Sequence, residues 1–227
     1  GQSVPLPFLE EIGMKKEQYL YIEQYMLSCM QDSAHDREHV YRVMYLALEL
    51  AEQEQEVDRE ILITACLLHD IGRTEQFENP ALCHAEVGGK KAYAFLRKHG
   101  WDESRAHWVE NCILSHRYRS GYVPDSLEAK LLFDAEKLDV TGAIGIARTL
   151  LYQGKVGDPL YSLNDTGEIS EGTLDRVPSF CKEYCWKLEK IYDEFYTEAA
   201  RRMARQRQQT AREFYEGVIR EAKEDYR

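Results

Sequence analysis

The chain has 227 residues, 44% of them hydrophobic, and sets 29 Lys and Arg against 40 Asp and Glu for a net charge of −11. That length suits one large domain or two small ones with a sizeable core, and the acidic balance argues against non-specific nucleic-acid binding. No apolar run approaches the roughly 20 residues of a membrane span. The segment GQSVPLPFLEEIGMKKEQ lacks a charged region followed by an apolar one, so no secretory leader is expected. The six cysteines form no CxxC pair. Most sit inside apolar helical patterns, which suggests buried thiols in a reducing cytoplasm.

In chain order the hydrophobic spacing predicts helices nearly throughout. Residues 16–31 and 37–56 are amphipathic, and 58–68 are apolar almost all round, as a central helix would be. Further helices are expected over 85–99, 103–117, 127–139 and 143–152. Gly, Asp, Asn and Ser crowd 153–178, which reads as a loop or lid. From Ser179 to Glu216 there is neither Gly nor Pro, and a long amphipathic helix is expected, broken near 206–209. With no strand alternation and no repeat, the expectation is an all-α bundle in one domain. Its core covers about 16–152, and 179–227 form a helical extension.

The stretch CLLHDIGR ends the most apolar helix in His69-Asp70, a pair that is costly to bury unless a charge lies between them. His39 opens the face continued by Val43, Met44 and Ala47, and His116 follows Val109, Cys112 and Ile113 at helical spacing. His84 opens a helix whose next turn is Gly88-Gly89, where something can approach the backbone. His35 has i,i+4 spacing to His39, but it lies among capping residues. In LEAKLLFDAEKLD, Asp134 shares a face with Leu127, Leu131 and Leu138, while Glu136 lies about 200° away. Singly, each of these residues reads best as a hydrogen-bonded core group. Together they fit one divalent cation, and mixed imidazole and carboxylate ligands suit Mn, Fe, Co, Ni or Zn better than Ca or Mg.

The order His39, His69-Asp70, Asp134 resembles the H…HD…D signature of the HD superfamily of metal-dependent phosphohydrolases. The likeness covers roughly residues 30–150, through HDREHVYRV, LLHDIGR, HAEVGG, ILSHR and FDAEKLDVTGAIGIAR. These stretches look like the small bacterial members of that family, some of which are nucleoside triphosphate pyrophosphohydrolases. The resemblance implies an HD-domain bundle in which His39, His69, Asp70 and Asp134 hold a divalent metal, with Mg as a further candidate. At 134–139 the subgroup pattern is D-A-D-x-L-D and this chain has D-A-E-K-L-D, so Glu136 is the alternative ligand. His84 and His116 match positions that take a second metal in some relatives. In some HD nucleotidases a Glu three residues after the doublet's Asp assists catalysis, and here that position is Arg73.

The reaction so implied is attack on phosphorus by a water that the metal acidifies. Asp70, Arg73 and Lys137 are expected at the reaction centre. Arg42, Lys91 and Arg148 are candidates for substrate phosphate, with Arg148 placed by resemblance. The expected partner is a small phosphorylated substrate of nucleotide type, with no nucleic acid and no membrane; pairing into a homodimer is left open. Two alternatives stand beside it: a binuclear phosphodiesterase using His84 and His116, and a non-catalytic metal or nucleotide sensor.

Overall fold

A computed structural model of the chain describes residues 9, 12–30, 37–117 and 121–224. His35 lies outside the described residues. The fold is all-α: α1 (Lys16–Cys29), α2 (Arg37–Ala51), α3 (Arg59–Leu68), α4 (Arg73–Glu78), α5 (His84–Lys98), α6 (Glu103–Ser115), α7 (Leu127–Leu138), α8 (Gly142–Val156), α9 (Phe180–Glu183) and α10 (Glu198–Glu224). A five-residue π turn, Tyr184–Leu188, follows α9. Among the described residues there is no strand, only an isolated bridge between Leu163 and Ile169. No described helix is long and apolar enough to cross a membrane. All six cysteines are free thiols.

The chain divides into two compact units, Gly1–Glu136 and Lys137–Arg227. The division falls inside α7, not at the change of composition after residue 152.

In the first unit α3 is the axis, with every residue from Ile61 to Leu68 buried. α1, α2, α5 and α6 pack on it. Its start is tied down by Asp58, whose carboxylate accepts from Ile61 N at 3.0 Å and so caps the helix. Arg105 of α6 grips the same carboxylate with two N–H groups at 2.7 and 3.1 Å, and donates to Glu60 at 2.6 Å. The Asp58 amide donates to the buried Glu128 at 2.8 Å. One residue thereby joins α3, α6 and α7.

In the second unit α8 packs against α10. α8 runs past the expected end at 152 and stops at Gly157, whose left-handed φ of 83° turns the chain out. The expected single helix from 179 is interrupted over 189–197, not at 206–209. Tyr192 and Phe195 are buried there, and the Tyr192 hydroxyl accepts from Gly142 N at 3.2 Å. Thr197 then restarts the chain as α10, its hydroxyl accepting from Ala200 N at 3.3 Å.

Burial alone would raise the Asp58 pKa, but hydrogen bonds from Arg105 and the start of α3 outweigh it and hold the carboxyl below its usual value. Its stabilising contribution is therefore present above the unfolded-state pKa of about 3.9 and is lost as pH falls through the folded value. Asp58→Ala is expected to cost about 1–2 kcal/mol in urea melts at neutral pH. The gap between wild type and variant should narrow below about pH 4; a gap that stays constant with pH would count against the ion pair.

Candidate metal centre

Five side chains at helix ends converge in the first unit. His69 and Asp70 follow the last residue of α3, His116 follows the last residue of α6, His84 opens α5 and His39 lies in the first turns of α2. All five are buried, none more than 3% exposed. Two three-residue groupings able to hold a cation result, His39–His69–Asp70 and Asp70–His84–His116. Asp70 belongs to both, and its two oxygens are divided between them. Oδ2 lies 3.6 Å from both His39 Nε2 and His69 Nε2. Oδ1 lies 3.5 Å from His84 Nε2 and 3.9 Å from His116 Nε2.

The backbone sets which ring nitrogens face inward. His69 Nδ1 is 2.7 Å from Cys66 O, and His116 Nδ1 is 2.6 Å from Ile113 O, each a carbonyl three residues back in its own helix. His84 Nδ1 is 2.6 Å from Gln76 Oε1. A carbonyl oxygen only accepts, so each Nδ1 carries the proton and each Nε2 presents a lone pair. Burial, with Arg73 nearby, pushes the His84 pKa down to about 3, and burial and His69 push His116 down to about 4. Both rings are therefore neutral near pH 7.

The donor set fits a cation. His84 Nε2 and His116 Nε2 face each other at 3.3 Å, and His39 Nε2 and His69 Nε2 at 3.4 Å. Two nitrogens bound to one ion at about 2.1 Å and a tetrahedral angle stand about 3.4 Å apart. Asp70 Oδ1, against the first of these pairs, is buried with no hydrogen-bond partner. Lone pairs gathered this way without a proton are unfavourable unless positive charge lies among them.

Glu136 Oε2 lies 3.0 Å from His39 Nε2 and 3.5 Å from His69 Nε2. The carboxylate that faces the His39–His69 pair at these distances is Glu136. Asp134 is fully buried, and neither it nor Glu136 belongs to the two three-residue groupings. The helical-face argument that favoured Asp134 has nothing to choose by, because α7 has no solvent face on this stretch: Leu131, Leu132, Phe133, Asp134 and Ala135 are all buried. Lying on an apolar stripe then says nothing about direction. The family pattern, with its acidic residue at 136, was the signal that could have found it. Burial alone would raise both carboxyl pKa values, yet the facing histidines, with Arg73 in the case of Asp70, hold both well below the usual carboxylate range.

Of the expected cations, Arg73 reaches the centre, its Nε donating to Asp70 Oδ2 at 2.7 Å. Arg42 is half-buried on α2. Lys91 instead braces the doublet's turn, donating to Ile71 O at 2.8 Å and Glu75 Oε1 at 2.6 Å. Lys137 and Arg148 belong to the second unit. Lys137 donates to Glu194 O at 3.1 Å and lies over the Phe195 ring, while Arg148 pairs with the buried Asp139. His99 and His107 stay out of the cluster, bonded to Phe95 O and Glu110.

Gly72 lets the doublet's turn press against α5. A Cβ there would collide with His84 O and lie 2.6 Å from Gly88 N. The close approach expected at Gly88 is thus the Gly72 backbone.

An all-helical protein whose helix ends bring imidazoles and an aspartate together has the makings of a metal centre. The HD domain family model matches residues 37–141. A predicted HD superfamily hydrolase from an uncultured Thermotogales bacterium is 30% identical, with 91% of this chain and 92% of that one covered at a TM-score of 0.60. An HD-superfamily hydrolase from Bacillus thuringiensis is also 30% identical, with 91% and 97% covered at 0.70. YpgQ of Bacillus subtilis is 29% identical over 177 residues, 78% of this chain and 79% of YpgQ. A crystal structure of YpgQ in complex with ADP matches at a TM-score of 0.69 and 25% identity, covering 90% of this chain and 95% of that one. The chain belongs to the HD superfamily and has its hydrolase fold.

Gly72→Ala is expected to cost about 1–3 kcal/mol by overpacking and to loosen the histidine cluster. At Gly88 an added Cβ would lie 3.4 Å from Gly72 N. Gly88→Ala should accordingly be near neutral, a helix-propensity gain of about 1 kcal/mol offsetting the tighter contact. Thermal melts of the two variants, with and without added Mn²⁺, check the contrast.

Proposed function

We propose that this protein is a divalent-metal phosphohydrolase acting on nucleotides or related phosphate esters and anhydrides. The observation that carries the reading is Asp70, whose buried oxygens are shared between two pairs of histidines with their Nε2 atoms turned inward. His39, His69, Asp70 and Glu136 would hold one ion, and Asp70, His84 and His116 a second. Mn, Fe, Co, Ni or Zn suit these ligands, with Mg a weaker match. When bound, such an ion polarises a phosphoryl oxygen and supplies an acidified water.

The chain's own residues do the rest. Asp70 and Glu136 bring negative charge that holds cations in a buried place. Arg73, 37% exposed, pairs with Asp70 on one side and offers its remaining N–H groups to an incoming phosphate. The nucleotide preference draws support from YpgQ, which has been crystallised with ADP. The two-ion reading is favoured over one ion because Asp70 Oδ1 has no other hydrogen-bond partner.

The test is a panel of nucleotides and simple phosphoesters with several divalent metals, phosphate and pyrophosphate being measured separately. Turnover should vanish with a chelator and return with Mn²⁺. No turnover on any member would favour the sensor reading. Asp70→Ala should lose bound metal and activity. Glu136→Gln should weaken metal binding by at least about 10–100-fold, whereas Asp134→Asn, His99→Ala and His107→Ala should keep the metal. Metal loss in Asp134→Asn with retention in Glu136→Gln would reverse the carboxylate assignment.

A further inference from the structure

Three of the clustered histidines have a described Nδ1 partner, and one of the three partners differs in kind. His69 and His116 end their helices, so each finds a main-chain carbonyl three residues back, Cys66 O or Ile113 O. No substitution removes such a partner. His84 is the first residue of α5 and has no preceding turn to supply a carbonyl. It relies on a side chain from another helix, Gln76 of α4, at 2.6 Å.

The orientation of that amide is fixed. Gln76 Nε2 donates to Leu82 O at 3.0 Å, and a carbonyl cannot donate, so the NH2 must face Leu82 and the oxygen must face His84. The oxygen in turn can only accept, so His84 Nδ1 must carry its proton. Its Nε2 is left bare, 3.3 Å from His116 Nε2 and 3.5 Å from Asp70 Oδ1.

We propose that Gln76 is the positioning residue that makes His84 an Nε2 ligand, and thereby sets how firmly the Asp70–His84–His116 cluster holds its own cation. The proposal rests on the two-ion reading above. A neutral amide supports an imidazole less than a carboxylate does. The second ion is thus held more loosely than a Glu at position 76 would allow.

The experiment compares wild type, Gln76→Leu and Gln76→Glu. Nitrogen–proton correlation spectra of the metal-free proteins report the His84 tautomer, and calorimetric titration with Mn²⁺ counts the ions and their affinities. Wild type should show the Nδ1–H tautomer and two binding events. Gln76→Leu should mix the tautomers and weaken the second event by about 10–100-fold, leaving the first unchanged. Gln76→Glu should keep the Nδ1–H tautomer and bind the second ion at least as tightly as wild type. A wild-type His84 protonated on Nε2, or a tautomer and second affinity unmoved by Gln76→Leu, overturns the role of Gln76. One ion per chain in wild type overturns the two-ion reading itself, so the two failures are told apart.

Discussion

Everything in the first unit is arranged around one carboxylate. Asp70 is buried, ionised and faced by four imidazoles and a guanidinium. An isolated carboxylate in such a place would protonate. Here Arg73 of α4 offsets part of the cost of desolvation, and a cation held among the imidazoles would offset the rest. The helices need not be long or strongly amphipathic, but their ends must arrive at one point. The C-termini of α3 and α6 both finish there, which places the negative ends of two helix dipoles beside the proposed cations.

The main chain around the doublet is fixed as firmly as the side chains. Gly72 lets the turn lie against α5, and Lys91 of α5 returns to hold Ile71 O and Glu75. A cation expected to meet substrate is thus used to brace the turn that carries Asp70. The same trade is seen at Arg105, which spends its guanidinium on Asp58 and Glu60 at the opposite end of α3. Both ends of the central helix are anchored by basic side chains from neighbouring helices.

Most helices were legible from hydrophobic spacing, because each has a wet and a dry face. α3 was legible for the opposite reason, being apolar all round. α4 was not foreseen: its six residues give less than two turns and none of them is buried, so no period can show. The break at 189–197 escaped because buried Tyr192 and Phe195 continue the apolar spacing of a helix, while the cap that restarts the chain is a single threonine. The histidines could be read because helix ends facing a core are unusual places for them. Glu136 could not be read from spacing, since a stretch buried on every side has no face to choose. Gln76 carried no signal at all, its partner being eight residues away across a turn.

Cys66 lies directly behind the cluster. Its carbonyl receives the His69 Nδ1 proton, and its thiol is wholly buried, with burial pushing its pKa far above the ordinary value. A thiol in that state reacts with an alkylating reagent only when α3 opens. Opening also releases His69 and scatters the proposed ligands, so a cation bound there would oppose it by mass action. The chain therefore carries a native chemical clock in its central helix. The labelling rate of Cys66 measures how often the centre comes apart, and its slowing by each added metal ranks those metals by affinity without any substrate.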